Sequence, residues 1–265
     1  MRQGGWLYLR SLIVALIVIY TLAPLVIIVI LSFSSAQFLT FPPPGLSLQW
    51  YERILSSPKW ASALKTTALI TIPTTIIATV VGTGAAIGIA RSKGSSAAFL
   101  SAIIMSPLVI PTIIVGAGVF SIFRSWGLAG TYTGMILAHV MLTIPYVFSV
   151  TLASLRTVNS NLEGAALTLG ASPLRVLLLV TVPMIAPAIL SGFLFAAVMS
   201  FDELVISMFL NSPTVRPITV QMWADVRGEV DPTIAAIASC LFAFTLILLL
   251  ADHLVARRRA GTKTY

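Results

Sequence analysis

Charge is what this 265-residue chain has least of. Only 9 per cent of its residues are Asp, Glu, Lys or Arg, where an ordinary soluble domain carries roughly 25 per cent. Acids are fewer than bases, 8 against 16, and there are two histidines. The single cysteine, Cys240, excludes an intrachain disulfide and a multi-cysteine metal site. Its place inside an apolar run makes it a small buried hydrophobe. A G-x-S-x-G nucleophile elbow, an H-E-x-x-H zinc motif and a G-x-x-x-x-G-K-[ST] phosphate loop are all missing, which removes the usual signatures of an intramembrane hydrolase and of a nucleotide-binding chain. The net charge of +8 forms no basic stripe and is interleaved with aliphatic residues, so nucleic acid is excluded as a partner.

What is present is hydrophobic: 58 per cent of the residues are apolar. A bilayer core of about 30 Å needs about 20 such residues in a helix. Six runs meet that length, at 9–33, 64–90, 97–123, 132–154, 184–206 and 233–255. The first is too long for the apolar core of a signal peptide and reads as a retained span, although "SSAQ" resembles a cleavage site. Six spans put both termini on one side. With that side inside, it receives Arg2, Arg10, Arg91, Lys93, Arg156, Arg175, Arg257, Arg258, Arg259 and Lys263. The other side receives Arg53, Lys59, Lys65, Arg124, Arg216 and Arg227. The bias of basic residues therefore predicts cytoplasmic termini and a cytoplasmic segment at 155–183.

Prolines fall in five of the six runs: Pro24, Pro73, Pro107 with Pro111, Pro145 and Pro187. Each removes a helix hydrogen bond, which a membrane tolerates only where protein or water replaces the partner. Gly84 and Gly88 in "VGTGAAIG" are spaced for close helix contact. Between the first two runs, "FPPPG" must be extended, and Ser47 can cap a short helix carrying Leu48, Tyr51 and Leu55. A second outer segment contains Trp223 and ends in Asp231–Pro232, a cap and a first-turn proline for the last helix.

The interruption "SNLEGAALTLGASPLRVLLLVTVP", residues 160–183, is patterned. Ser160 and Glu163 have the spacing of a capping box. Leu162, Ala165, Ala166 and Leu169 form a short apolar face at helical spacing. Gly170 can end that helix in the left-handed region, and Ser172 with Pro173 can begin another. The prediction is a rigid elbow of two helices, able to transmit motion from whatever it grips.

These residues resemble the cytoplasmic loop of membrane subunits of bacterial ATP-binding-cassette importers, in which Glu-Ala-Ala is followed by three residues, Gly, nine residues and Ile-x-Leu-Pro. Ala165, Ala166, Gly170 and Pro183 match, and Val180 and Val182 are conservative replacements. "LSFSSAQFLTFPPPGLSLQWY", "SFDELVISMFL" and "DPTIAAIASCLFAFTLILLL" extend the resemblance to the second permease subunit of spermidine/putrescine-type importers. The resemblance implies an all-α, six-span type I importer permease, one domain over 1–265, in a bacterial inner membrane. It implies that Glu163, Gly164, Ala165, Ala166, Gly170, Ser172, Pro173 and Pro183 couple the chain to an ATPase. It also implies a second, similar permease, an ATPase dimer that binds ATP and magnesium in place of this chain, and a periplasmic solute-binding protein. The solute would be a polyamine, or an opine, amino-acid derivative or phosphonate. One position departs from the pattern: the family's glutamate falls on Gly164, and the acid stands one place earlier. That shift rotates the carboxylate by about 100° about the helix axis, leaving Glu163 open to a capping role, an ATPase contact or both.

Asp202 and Glu203 lie at the outer end of the fifth run, where an ionisable group is costly without water or a partner. Glu203 shares a helical stripe with Gly192, Ala196, Ser200 and Ser207 and, with Ser200, is the candidate for lining a pathway. Asp202 shares its stripe with Phe195, Val198 and Ile206, and either meets the outer interface or pairs with a base such as Lys65. His139 has no acid near it in "LAHVMLTIPY" and reads as a hydrogen-bonded bundle residue. A self-contained secondary transporter or channel is the competing class. It would usually show an internal repeat, and no six-span duplication is visible.

Overall fold

The structure, a computed structural model, describes residues 3–92, 94–228 and 231–260. Arg2, Lys93 and Lys263 from the charge count lie outside them, as do the side chains of Ser160 and Arg257 to Arg259. The described chain is helical, with one isolated antiparallel bridge, Ser34 to Leu46, and no strand among the described residues. In order the helices are α1 (Gln3–Ser32), α2 (Gln49–Ser56), α3 (Pro58–Arg91), α4 (Ser95–Val109), α5 (Thr112–Ser125) and α6 (Tyr132–Leu155). They continue as α7 (Ser160–Thr168), α8 (Pro173–Val176), α9 (Val182–Phe201), α10 (Val205–Leu210), α11 (Ile218–Val226) and α12 (Thr233–Ala260). A π-helical turn, Leu177–Thr181, joins α8 to α9.

Among the described residues four helices are long and apolar enough to cross a bilayer: Leu9–Ser32 in α1, α3, α6 and the continuous run Pro173–Phe201. The expected third span is two helices, α4 and α5, bent by 103°. The cause is local. Ile110 precedes Pro111 and is extended, with φ −81° and ψ 132°, because a following proline disfavours the helical region. Pro24, Pro73, Pro145 and Pro187, each the one proline in the interior of its helix, leave α1, α3, α6 and α9 unbroken. The expected sixth span contains a shorter apolar stretch, Thr233–Ile247. The fifth ends at Phe201 rather than near 206, with residues 202–204 breaking the chain before α10.

The chain divides into two compact units, Met1–Ala61 with Met222–Thr245, and Ser62–Gln221 with Leu246–Tyr265. In the first, the loop after α1 is fixed by polar contacts. The Trp50 indole donates to the Ser34 carbonyl at 2.7 Å. Ser32 and Tyr51 share a 2.7 Å hydrogen bond, and the Tyr51 ring packs 5.1 Å from Phe33, tilted by 38°. Ser47 accepts from the Gln49 N–H at 3.1 Å, but the cap position of α2 is Leu48, so the expected serine cap stands one residue too early. Leu48 and Leu55 remain exposed, so that face of α2 is not covered by this chain. Asp231 accepts from the Thr233 N–H at 2.9 Å, the expected start of α12, and pairs with Arg53. Lys59 pairs with Asp225. Cys240 is exposed, correcting the buried assignment: an apolar helix in a membrane chain need not turn every face inward.

In the second unit, α6 is the central element. Gly82 of α3 and Gly192 of α9 both close on Val147 of α6; a Cβ on Gly82 would lie 2.9 Å from Val147 Cβ, and one on Gly192 3.2 Å from Val147 Cα. Gly84 and Gly88, by contrast, meet nothing within 4 Å. The close contact expected of them is made by Gly82, half a turn away.

Candidate functional site

The elbow begins where α6 ends. Asn159, not Ser160, is the cap of α7: its side chain accepts from the Asn161 N–H at 3.0 Å. At the other end Gly170 adopts φ +88°. The Gly170 N–H donates to Leu167 O at 3.0 Å and the Ala171 N–H to Ala166 O at 3.1 Å. This is the paired closure of a helix by a left-handed residue. Ser172 then accepts from the Arg175 N–H at 3.4 Å, and Pro173 opens α8. Every turn of the elbow is thus hydrogen-bonded, which is what rigidity requires. In the π turn the Val182 N–H donates to Leu177 O, five residues back, and Pro183 follows at the start of α9.

Glu163 does not complete a capping box. Its Oε1 accepts from the Thr181 hydroxyl at 2.5 Å and from Arg91 Nη2 at 3.4 Å. Arg91 Nη2 also lies 3.4 Å from Thr181 Oγ1. Thr181 is fully buried in the π turn, and Arg91 is the last residue of α3, where a cation suits the helix dipole. The ion pair alone is worth at most about 1 kcal/mol, being partly exposed. The carboxylate therefore turns toward its own chain. Gly164, at the family's glutamate position, faces outward: it is exposed, and an added Cβ would meet nothing within 4 Å. Leu162, Leu167, Leu169, Leu174, Leu178 and Leu179 are also exposed. Isolated exposed leucines are ordinary, but six along one elbow mark a contact surface.

A second polar group lies inside the helix core. His139 of α6 is 2 % exposed. Its Nδ1 lies 3.0 Å from Ser200 Oγ of α9 and its Nε2 3.0 Å from Ser207 Oγ of α10. Ser200 donates onward to Thr71 of α3 at 3.4 Å. The expected bundle role of His139 is realised, and the seam ties together four helices. Ser200, a candidate pathway residue, is buried and committed to this seam.

Glu203 stands in the break between α9 and α10. Its Oε1 accepts from the Ile206 N–H at 2.7 Å and so caps α10, while its carbonyl accepts from Thr219 at 3.1 Å. The stripe drawn from Ser200 through Glu203 to Ser207 does not run along one helix, because the helix ends between them. Glu203 instead borders a cavity of about 120 Å³ with Pro107, Thr112, Leu142, Tyr146 and Met199. The bend between α4 and α5 supplies one wall of that cavity, and its signal was the four-residue spacing of Pro107 and Pro111. Asp202 is exposed and makes no ion pair with Lys65.

Several long apolar helices, one bent pair, a polar seam inside them and a rigid, leucine-rimmed elbow define a multi-pass membrane component of a transport system. Residues 78–260 match the family described as binding-protein-dependent transport system inner membrane component. The putrescine transport system permease protein PotI of Escherichia coli K12 is 34 % identical over 259 residues, covering 94 % of this chain and 91 % of its own. The spermidine/putrescine transport system permease protein PotC of the same strain is 23 % identical over 256 residues, covering 97 % of each. A bacterial ABC transporter for import of the polysaccharide alginate shares the fold, with a TM-score of 0.72 at 14 % identity over 97 % of this chain and 98 % of that one. The chain belongs to the binding-protein-dependent inner membrane component family: it is a permease subunit of an ABC importer, a transport component rather than a catalyst.

Proposed function

We propose that this chain forms half of the translocation pathway for a polyamine, with six spans, both termini in the cytoplasm and residues 1–265 acting as one permease domain. A second, similar permease supplies the other half, most simply as a heterodimer. A periplasmic binding protein delivers the solute to the outer face, and a cytoplasmic ATPase dimer, which binds ATP and magnesium, grips the elbow of residues 160–183. The observation that carries this reading is the elbow itself. It is capped at every turn, its leucines are exposed, and it leads through the π turn directly into α9. In the six-span reading α4 and α5 together make the third span and α12 the sixth.

Closure of the ATPase on ATP moves the elbow, and α9 follows because no flexible segment intervenes. Differences in binding energy between inward- and outward-open states supply the coupling. Glu203, next to the 120 Å³ cavity, offers a carboxylate to a passing ammonium group, and Asp202 offers a second at the surface. The polyamine assignment rests on the identity to the putrescine permease. A further relative, the putative 2-aminoethylphosphonate permease PhnV of Salmonella typhimurium LT2, is 28 % identical over 247 residues. The test is uptake of radiolabelled putrescine into proteoliposomes holding the whole importer with its binding protein. ATP-dependent putrescine accumulation is expected; accumulation of 2-aminoethylphosphonate in its place would overturn the solute assignment while leaving the permease role.

A further inference from the structure

We propose that Glu163, Arg91 and Thr181 form an intrachain strut that fixes the coupling helix α7 to the end of α3 and to the π turn at the base of α9, with Glu163 as a positioning residue and not a contact of the ATPase. The inference rests on the reading of the elbow as the coupling element and adds to it the means by which force reaches two spans at once.

Three observations carry it. First, one carboxylate oxygen gathers both partners: the Thr181 hydroxyl at 2.5 Å and the Arg91 guanidinium at 3.4 Å. The three groups come from three segments of the fold, with 72 and 18 residues separating Glu163 from its partners. Second, the attachment point is the π turn. Such turns replace regular bonding with a single wider ring and are weak points along a helix. Thr181 is its last residue, so a bond from Glu163 braces the place where the elbow would otherwise flex against α9. Third, the outward direction on α7 belongs to Gly164, which is exposed with open space around it. A partner seated there meets backbone and the leucine rim, while the acid lies about 100° round the helix, turned toward Thr181 and Arg91. A displacement of one residue has thus turned the carboxylate from partner-facing to self-facing.

The strut makes α7, the tip of α3 and the base of α9 move as one body. Without it, α7 remains attached through the α8 and π-turn backbone, so the ATPase still docks but its closure is absorbed by bending at Leu177–Thr181.

The experiment uses the complete importer in lipid nanodiscs, with basal and binding-protein-stimulated ATP hydrolysis measured beside retention of the ATPase on affinity capture. Arg91→Glu and Glu163→Arg alone should each lower the stimulated rate by about fivefold or more, with basal hydrolysis and ATPase retention unchanged in Arg91→Glu. The double swap, Arg91→Glu with Glu163→Arg, should recover at least half of the lost stimulation. Thr181→Ser should behave as wild type and Thr181→Val should be impaired. Single variants that keep full stimulation would overturn the strut, and so would loss of ATPase retention in Glu163→Arg without recovery in the double swap, since that pattern belongs to a direct contact. Gly170→Pro, measured alongside, separates the two readings: if it too leaves stimulation intact, the coupling role of the elbow fails, and not the strut alone.

Discussion

Gly170 offers a graded test of whether the elbow's shape matters. Its φ of +88° lies in the region that residues with a Cβ avoid. An added Cβ would meet nothing within 4 Å, so substitution acts through backbone preference and not through a clash. Alanine there costs about 1 kcal/mol, a shift of roughly fivefold between bent and unbent elbows. Asparagine tolerates the left-handed region and costs less. Valine, β-branched, costs more. Proline fixes φ at about −65° and removes the N–H that closes α7 onto Leu167 O. The assay is binding-protein-stimulated ATP hydrolysis in nanodiscs, with insertion checked by gel filtration of a fluorescent fusion. Stimulation should fall in the order Asn, Ala, Val, Pro, to nothing at proline, while insertion holds. Normal stimulation in Gly170→Pro, or Asn as damaging as Val, would refute the reasoning.

Two predictions concern the helix core. His139→Ala strands the Ser207 hydroxyl and leaves Ser200 only its 3.4 Å bond to Thr71, at about 1–3 kcal/mol for the stranded group, and should lower the melting temperature in detergent by about 5 °C. His139→Leu combined with Ser207→Ala should restore most of the loss, because Ser200 keeps Thr71 as its acceptor and no buried donor is then left without a partner; an unchanged melting temperature in His139→Ala would contradict the seam. Glu203→Gln keeps an acceptor for the Ile206 N–H but loses the charge, and should slow putrescine uptake about tenfold, the scale of one charge-assisted hydrogen bond, at unchanged stability. Wild-type uptake by this variant would remove Glu203 from the pathway.

Much of this architecture could be read locally. Gly170, Ser172 with Pro173 and Asp231 cap helices as their residue types dictate, because a cap depends on neighbours within a few positions. The apolar runs located the long helices for the same reason. What escaped was long-range or cooperative. Hydropathy is blind to a bend, so 97–123 looked like one span although Pro107 and Pro111 fold it through 103°. Gly82, and not Gly84 or Gly88, meets α6, since spacing gives a face but not the neighbour. Glu163 fitted a capping box by spacing alone, yet it bonds to Arg91, 72 residues away. The helical stripe that joined Glu203 to Ser200 and Ser207 assumed a continuous helix. Glu203 itself ends that continuity by capping α10, while His139 gathers the two serines.

The central claim is that the outward side of the elbow docks on an ATPase in the cytoplasm. Benzophenone attached to a cysteine at position 164 or 169, in a Cys240→Ser background, tests it by photocrosslinking in the assembled importer, with position 55 on α2 as control. Leu169 and Leu55 are matched in exposure, 88 % and 84 %, so accessibility alone does not separate them. Labels at 164 and 169 should capture the ATPase and the label at 55 should not. Capture of the ATPase from position 55, or from neither elbow position, would contradict the account.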